Sequence, residues 1–164
     1  MKLNSLHDLF IDELKDLYNA ETQLTKALPK MAKAASSEEL RTAFQEHLTE
    51  TEHQIERLDK VFKQLETNPK GKKCQAMAGL VEEGADIIEM DGGDAVRDAG
   101  LIAAAQRVEH YEMAGYGTVR TFAQLLGFDE AANLLQETLD EEAAANDKLT
   151  ELSKNINVEA QAPA

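Results

Sequence analysis

Residues 101–142 read LIAAAQRVEHYEMAGYGTVRTFAQLLGFDEAANLLQETLDEE, and this stretch decides the fold. Apolar side chains recur at intervals of three and four residues on both sides of Gly127. This spacing predicts two amphipathic helices, over about 94–126 and 129–156. Gly127 follows the last apolar position of the first helix, where a glycine commonly ends a helix. Because so short a turn makes the two helices pack antiparallel, the stretch predicts a helical hairpin.

The N-terminal part of the chain predicts a second hairpin of the same kind. Apolar residues at helical spacing indicate one helix over about 5–34 and another over about 36–65. Between them, Ser36-Ser37-Glu38-Glu39 is typical of a capping box, which begins a helix. Pro29 is expected to kink the last turn of the first helix, and Asn68-Pro69 to end the second.

A shorter helix, over about 74–90, joins the two hairpins. Asp91-Gly92-Gly93-Asp94 stops it, and Asp94 is a candidate cap for the helix that follows. Two helical hairpins joined by one long crossover form the ferritin-like topology. We therefore predict an all-α, ferritin-like antiparallel four-helix bundle with an additional short helix in the crossover, giving five helices. The bundle is expected to span residues 1–157, and residues 158–164 to form a disordered tail.

Composition limits the partners and the compartment. The chain carries a formal net charge of −14, from 17 basic and 31 acidic residues. An acidic surface repels phosphate backbones, so we expect no nucleic-acid partner. No stretch reaches the roughly 20 apolar residues of a membrane span, so no membrane partner is expected. The single cysteine, Cys74, cannot form an internal disulfide, and the first residues lack the apolar run of a signal peptide. These features predict a soluble, cytoplasmic protein.

Several glutamates occupy positions where the helical pattern calls for apolar residues. Glu21, Glu112 and Glu142 fall in the middle of the apolar faces of their helices. Glu109 lies one turn before Glu112 on the same side, and Glu50 lies at the edge of the apolar face of the second helix. Burying such carboxylates without partners costs on the order of several kcal/mol each, or forces them to stay protonated.

These positions also agree in height along the bundle, because residues equidistant from a turn lie side by side in a hairpin. Glu21 and Glu50 are equidistant from the turn between the first two helices. Glu112 and Glu142 are equidistant from Gly127. Docking of the two hairpins is therefore expected to gather the carboxylates at one level.

A cluster of four or more glutamates with one or two histidines, contributed by four helices, is the di-iron or di-manganese carboxylate site. We therefore predict iron or manganese, with about two ions per chain, and no organic cofactor. The alternative is structural. A glutamate on an apolar face often reaches solvent or pairs with a base, and Arg107 and Arg120 are near enough in sequence to pair with some of them.

Two histidines compete for the role of nitrogen ligand. Glu50-Thr51-Glu52-His53 matches the Glu-x-x-His motif literally, but the helical wheel turns His53 toward solvent. His47 faces inward, which makes His47 the favoured ligand and His53 the less favoured one. A hydrogen-bonded core histidine is the other role open to His47. Tyr18 and Tyr116 each lie one turn from a central glutamate and are candidates for hydrogen bonding to it or for packing.

With these residues identified, the sequence resembles the YciF-type ferritin-like stress proteins of bacteria. The stretches that carry the resemblance are Asp8-Leu9-Phe10, Asp16 to Glu21, Thr51 to Leu58, Val108 to Glu112 and Thr138 to Glu142. The resemblance covers about residues 1–155. It implies a five-helix, ferritin-like monomer, a homodimer and a link to the stress response.

The related rubrerythrin-like proteins use an analogous carboxylate cluster for di-iron chemistry with peroxide or oxygen. The residues that match this pattern are Glu21, Glu50, Glu109, Glu112 and Glu142. The chain departs from the pattern in its last helix, where Ala145 and Asn146 stand one turn after Glu142 in place of a second ligand. It also has no rubredoxin-like cysteine domain.

Together, the residues and the resemblance give two hypotheses of function. The first is a stress-response protein with a carboxylate di-metal site, with ferrous oxidation and peroxide reduction as the candidate reactions. The second is a non-enzymatic structural or interaction protein that keeps the ferritin-like fold without a working metal site.

Overall fold

The computed structural model describes residues 3–161, which form five α-helices and, within that range, no strand. The helices are α1 (Leu6–Ala34), α2 (Glu38–Gln64), α3 (Gln75–Glu89), α4 (Asp94–Leu125) and α5 (Asp129–Ala160). Each predicted helix is present, and the all-α prediction is confirmed. Pro29 lies inside α1, which continues past it to Ala34.

The four long helices form an antiparallel bundle made of two hairpins. In the first hairpin α1 packs on α2, and in the second α4 packs on α5. The hairpins then dock through α2 against α5 and α1 against α4. The crossover helix α3 lies against α1 and α4. The α1–α4 side of the bundle is therefore covered, whereas no helix of the described chain packs across both α2 and α5.

The apolar core has two halves that follow one another along the bundle axis. In α1, Leu24 belongs to one half and Leu17 to the other, with Glu21 between them. In α4, the same division falls between Val108 and Tyr116. The polar positions predicted from the sequence therefore lie in a layer between the two apolar halves.

Two helix starts differ from the sequence prediction. Ser37, and not Ser36, is the N-cap of α2, and its hydroxyl accepts a hydrogen bond from the backbone N–H three residues on. That third residue is a leucine, so the reciprocal bond of a capping box is not made. The backbone N–H groups of Ser36 and Ser37 instead donate to the buried carboxylate of Asp98, at 2.9 and 2.7 Å. Gly93 is the N-cap of α4, while Asp94 lies inside its first turn.

The turn between α4 and α5 is confirmed at Gly127, which has a φ of +79°. The backbone N–H of Phe128 donates to the Ala123 carbonyl at 2.9 Å, and that of Gly127 to the Gln124 carbonyl at 3.2 Å. These two bonds close a Schellman motif. Because glycine adopts the left-handed conformation without strain, the turn position is fixed by this one residue.

The C-terminal helix is longer than the sequence suggests. α5 continues to Ala160, into the stretch 158–164 that was expected to be a disordered tail. Residues 158–160 contain no helix breaker, so nothing ends the helix there. The rest of the predicted tail from residue 162 lies outside the described residues, as do residues 1 and 2 of the predicted domain. None of the described helices combines the length and the apolar character that a membrane span requires.

Helices α1 and α4 approach each other closely at Gly115. A Cβ atom added there would lie 2.7 Å from Cδ2 of Leu17, which is buried in the core. Gly117, two residues later, would place a Cβ atom in open space. The close approach therefore requires glycine at position 115 and not at position 117.

We expect Gly115→Ala to be less stable than Gly117→Ala. Each change removes a glycine from a helix interior, a gain of about 0.8–1 kcal/mol, but only the first forces Leu17 out of its place. Gly117→Ala should raise the free energy of unfolding by up to about 1 kcal/mol, and Gly115→Ala should lie at least about 1 kcal/mol below it. Denaturant titration measures both, and equal stabilities would contradict the close approach.

Candidate metal centre

The layer between the two halves of the core contains buried glutamates and one buried histidine. Its members are Glu21 from α1, His47 from α2, Glu109 and Glu112 from α4, and Glu142 from α5. None of them exposes more than 6% of its surface. Each stands on the apolar face of its helix, so the packing that buries the neighbouring leucines also buries these polar groups. We call this set the carboxylate layer.

Four of these side chains converge on one point. One possible ligand atom from each lies within 4.8 Å of the others, in the group His47, Glu109, Glu112 and Glu142. His47 Nε2 is 3.5 Å from Glu109 Oε1 and 3.9 Å from Glu142 Oε2. Because these residues come from α2, α4 and α5, the group joins one hairpin to the other.

Glu21 enters the same layer from α1. The hydroxyl of Tyr116 donates a hydrogen bond to Glu21 Oε1, and both side chains are fully buried. Burial and the charge of Glu142 raise the pKa of Glu21 to about 8, although the bond from Tyr116 favours the ionised form. Of the two tyrosines considered from the sequence, Tyr116 therefore contacts a glutamate of the layer. Tyr18 packs edge-on against Phe62 and makes no such bond.

Glu50 and His53 occupy different positions from the rest. Glu50 Oε2 is 3.5 Å from His47 Nδ1, and its side chain is 45% exposed, so it lies at the rim of the layer. The His47 ring beside it lowers the pKa of Glu50. His53 is exposed and contributes to no group of potential ligands in the described chain. The inward direction that the helical wheel gives His47 therefore describes the geometry better than the literal Glu-x-x-His match.

Eight buried polar atoms of the layer lack hydrogen-bond partners among residues 3–161. They are both carboxylate oxygens of Glu112 and of Glu142, Oε2 of Glu21, Oε2 of Glu109, and both ring nitrogens of His47. Native interiors leave very few such atoms unsatisfied. A convergent set of unpartnered carboxylate oxygens with an imidazole is the donor set that a cation fits.

No arginine or lysine of the described chain neutralises this layer. Arg107 is exposed and forms no ion pair there, and Arg120 donates to Gln136 at 3.1 Å. Arg57 binds Glu141, which lies beside the layer and not in it. The interpretation that Arg107 and Arg120 partner the central glutamates is therefore wrong, because no ion pair joins either guanidinium to a carboxylate of the layer among residues 3–161.

Burial is the main cause of the raised pKa values in the layer. The pKa of Glu109 rises to about 7. Those of Glu112 and Glu142 rise well above the usual range because burial, and then the neighbouring carboxylates, oppose ionisation. Burial alone lowers the pKa of His47, but the negative charge of Glu50 and Glu142 outweighs it and raises the pKa overall. The metal-free layer therefore holds protons that a divalent ion would displace.

The last helix supplies one carboxylate to the layer and no further ligand. Ala145 follows Glu142 by nearly one turn, and its side chain offers no donor atom. Asn146 Oδ1 accepts a hydrogen bond from Gln106 Nε2 at 3.4 Å instead. The departure noted in the sequence is thus a real gap on the α5 side of the layer.

A second polar network, beside the crossover, is one that sequence reasoning missed. The hydroxyl of Tyr111 donates to Asp16, and Cys74 Sγ lies 3.0 Å from the same hydroxyl. Cys74 also caps α3 by accepting from the Met77 backbone N–H at 3.3 Å, and Lys72 Nζ is 3.4 Å from Asp16. These residues come from two helices and a loop, so no helical periodicity could have brought them together in advance.

Comparison with known proteins gives the geometry a family context. The model of the family described as Domain of unknown function (DUF892) matches residues 5–162. Among curated proteins, the chain is 52% identical to Protein YciF of Escherichia coli (strain K12) in an alignment of 164 positions that covers 98% of each chain.

Solved structures agree with this. The crystal structure of the E. coli stress protein YciF gives a TM-score of 0.92, covering 94% of this chain and 98% of that one. YcfI from Rhodopseudomonas palustris, described as a candidate structural protein, is 44% identical, with a TM-score of 0.88 over 91% of this chain and 95% of that chain. A two-domain protein of Anabaena variabilis with DJ-1/ThiJ/PfpI-like and ferritin-like domains is 17% identical, with a TM-score of 0.60 over 98% of this chain and 40% of that one. This last likeness concerns the fold alone, and it confirms the ferritin-like prediction.

We expect the stability of the metal-free protein to depend on pH through the carboxylate layer. A glutamate whose pKa is raised in the folded state contributes stability that is full below about 4.5 and is lost as the pH rises through the folded value. Glu112→Gln removes this pH-dependent loss of stability, because a glutamine side chain does not ionise. The free energy of unfolding of the variant, relative to wild type, should therefore increase by roughly 1–3 kcal/mol between about pH 5 and pH 8.

Denaturant titration at several pH values in the presence of a chelator measures this difference. The exposed Glu52→Gln is the matched control and should follow the wild-type pH profile. Parallel profiles for wild type and Glu112→Gln would contradict the raised pKa.

Proposed function

The chain belongs to the DUF892 family, and from this premise we propose that it is a stress-response protein whose bundle binds a pair of divalent ions, iron or manganese. The proposed ligands are Glu21, Glu50, Glu109, Glu112, Glu142 and His47. The relative in E. coli is described as a stress protein, which supports the physiological setting. The charge and the oxygen donors of the layer support the class of ion.

The unpartnered carboxylate oxygens of the layer carry the proposal. Leaving a buried polar group unsatisfied costs on the order of 1–3 kcal/mol, and more for a charged one. Glu112 and Glu142 each keep both oxygens in this condition. Their cost is comparable to the whole stability of a small domain, roughly 5–15 kcal/mol. A divalent ion offsets it by satisfying several oxygens at once.

Both hairpins would contribute ligands to the ions. Glu112 and Glu142 would hold the ions from the second hairpin, and Glu21 and Glu50 from the first. Tyr116 fixes Oε1 of Glu21 through its hydrogen bond and leaves Oε2 for an ion. When bound, an iron pair would supply one-electron exchange with oxygen or peroxide.

His47 connects the buried part of the layer to its rim. Its Nδ1 faces Glu50 and its Nε2 faces Glu109, each at 3.5 Å. Nε2 would therefore hold an ion in the layer, while the carboxylate of the half-exposed Glu50 would orient the ring through Nδ1. This role needs the ring in the position that the wheel predicted for it.

Ferrous-ion oxidation and peroxide reduction are the reactions we propose for an iron-loaded site. The competing proposal is a non-enzymatic structural or interaction protein. It is favoured by the missing ligand at Ala145 and by the description of the R. palustris relative as a candidate structural protein. Metal content of the purified protein separates the two proposals directly.

We propose the cytoplasm as the compartment. Cys74 is a buried free thiol, which suits a reducing environment. We propose neither nucleic acid nor a membrane as a partner, because the charge of −14 opposes anionic surfaces.

Protein reconstituted with ferrous iron or Mn²⁺ in the absence of oxygen should retain about two equivalents per chain. Glu112→Ala should abolish retention, because this residue is central in the layer and none of its oxygens is otherwise engaged. Metal should also raise the melting temperature of wild type, since an ion at 100 times its Kd stabilises the folded state by about 2.7 kcal/mol. Elemental analysis after desalting and calorimetry measure these effects.

The two histidines provide a matched pair of variants. His47→Ala should weaken retention strongly, whereas the exposed His53→Ala should leave it at the wild-type level. Wild type that retains no metal, together with a Glu112→Ala variant that is merely destabilised, would make the carboxylates structural. The interaction-protein proposal would then be preferred.

We further propose that two copies form a symmetric homodimer. An apolar cleft of about 220 Å³ between α1 and α3 is open to solvent, with Met31, Leu80, Val81 and Ile88 among its lining residues. A second copy would cover this apolar surface. Light scattering at micromolar concentration should report a dimer, and a monomer would remove this proposal.

A further inference from the structure

A cleft between α2 and α5 leads from the protein surface to the carboxylate layer. It has a volume of about 110 Å³. Its polar lining consists of Glu46, His47, Glu50, Glu109 and Lys148, and its remaining lining is apolar and includes Ala144 and Ala145. His47 and Glu109 are buried members of the layer, whereas Glu46 and Lys148 are exposed. The α2–α5 cleft therefore connects solvent to the buried donor atoms.

Two features of the fold keep this cleft open. The crossover helix α3 packs against α1 and α4, so it covers the opposite side of the bundle. On the open side, α5 places Ala144 and Ala145 just after Glu142, and both line the cleft. Ala145, which stands in place of a second metal ligand on α5, thus also leaves room for the cleft. A larger side chain at this position would fill that room.

The charge of the cleft selects for cations. Three glutamates line it, against one lysine and one histidine. Lys148 forms an ion pair with Glu46, and the two side chains are 48% and 54% exposed. Exposed pairs of this kind are weak, so the pair opens readily and leaves an acidic mouth.

The size of the cleft limits what can pass. One buried water needs roughly 10–15 Å³ of cavity volume. The volume of the cleft is therefore enough for several waters or for a partly hydrated ion. Pockets that bind organic molecules of ordinary size measure roughly 300–1,000 Å³. The layer is therefore accessible to small ions and small neutral molecules, and closed to larger organic substrates.

We propose that the α2–α5 cleft is the route by which divalent cations reach the carboxylate layer, with the Glu46–Lys148 ion pair closing its mouth. The species that passes through the cleft is then the divalent metal ion itself. The proposal rests on the proposed function, because a route has meaning only if ions bind in the layer.

The rate of manganese uptake tests the route. Loss of the free Mn²⁺ signal in electron paramagnetic resonance after rapid mixing gives the rate, and metal content after desalting gives the final occupancy. Ala145→Leu should slow uptake by about tenfold or more and leave the final occupancy at the wild-type level. Ala143→Leu, the same substitution on α5 at a half-buried position that does not line the cleft, should take up Mn²⁺ at the wild-type rate.

Charge variants test the mouth separately. Lys148→Met removes the lysine of the cleft and breaks the ion pair, so uptake should become severalfold faster, with a larger effect at low ionic strength. Glu46→Gln breaks the same pair but removes a negative charge, so its gain should be smaller. Equal rates for wild type, Lys148→Met and Glu46→Gln would overturn the role of the ion pair.

The possible outcomes separate the route from the binding site. Full occupancy with a wild-type rate in Ala145→Leu would overturn the route and leave the proposed function standing. If Ala145→Leu also loses occupancy, the exposed Ala144→Leu decides: slow uptake with full occupancy supports the route, and a wild-type rate overturns it. Wild type that retains no Mn²⁺ overturns both.

Discussion

Carboxylates held inside an apolar interior are the constraint on which the rest of this structure depends. Glu21, Glu109, Glu112 and Glu142 lie between two halves of a core that would otherwise be continuous. Their charges repel one another, and burial opposes ionisation, so the metal-free layer works against folding. The two apolar halves hold it in place from either end, as Leu17 and Leu24 do on the two sides of Glu21 in α1.

That constraint fixes the lengths and turns of the hairpins. Every long helix must cross the layer at one height, so a shift of one residue at a turn would move a carboxylate away from its partners. The turn at Gly127 is fixed by a Schellman motif. The turn between α1 and α2 is held by the buried Asp98, which accepts two backbone hydrogen bonds from Ser36 and Ser37. The two fixed turns therefore keep the carboxylates of the layer at the same height along the bundle.

The sequence was sufficient for the bundle, for the height of the glutamates and for the inward direction of His47, because all three follow from helical periodicity and from distance to a turn. It was insufficient where the outcome depends on how helices rotate or how a loop travels. The orientation of Arg120 toward Gln136 and the bond from Tyr111 to Asp16 are of this kind. The α2–α5 cleft also needed the structure, since an absent side chain leaves a gap only when the neighbouring helix fails to fill it.

The thiol of Cys74, at the start of α3, can report when the crossover helix separates from the bundle. Cys74 is fully buried, its backbone N–H donates to Asn19, and its carbonyl accepts from Gln23. Burial raises the pKa of its thiol, which further suppresses its reactivity. An alkylating reagent can therefore modify Cys74 only while the start of α3 has left α1. As this is the chain's one cysteine, the rate of alkylation reports those departures in the unaltered protein, and its dependence on denaturant, which is shallow for a local opening and steep for unfolding of the bundle, tells the two apart.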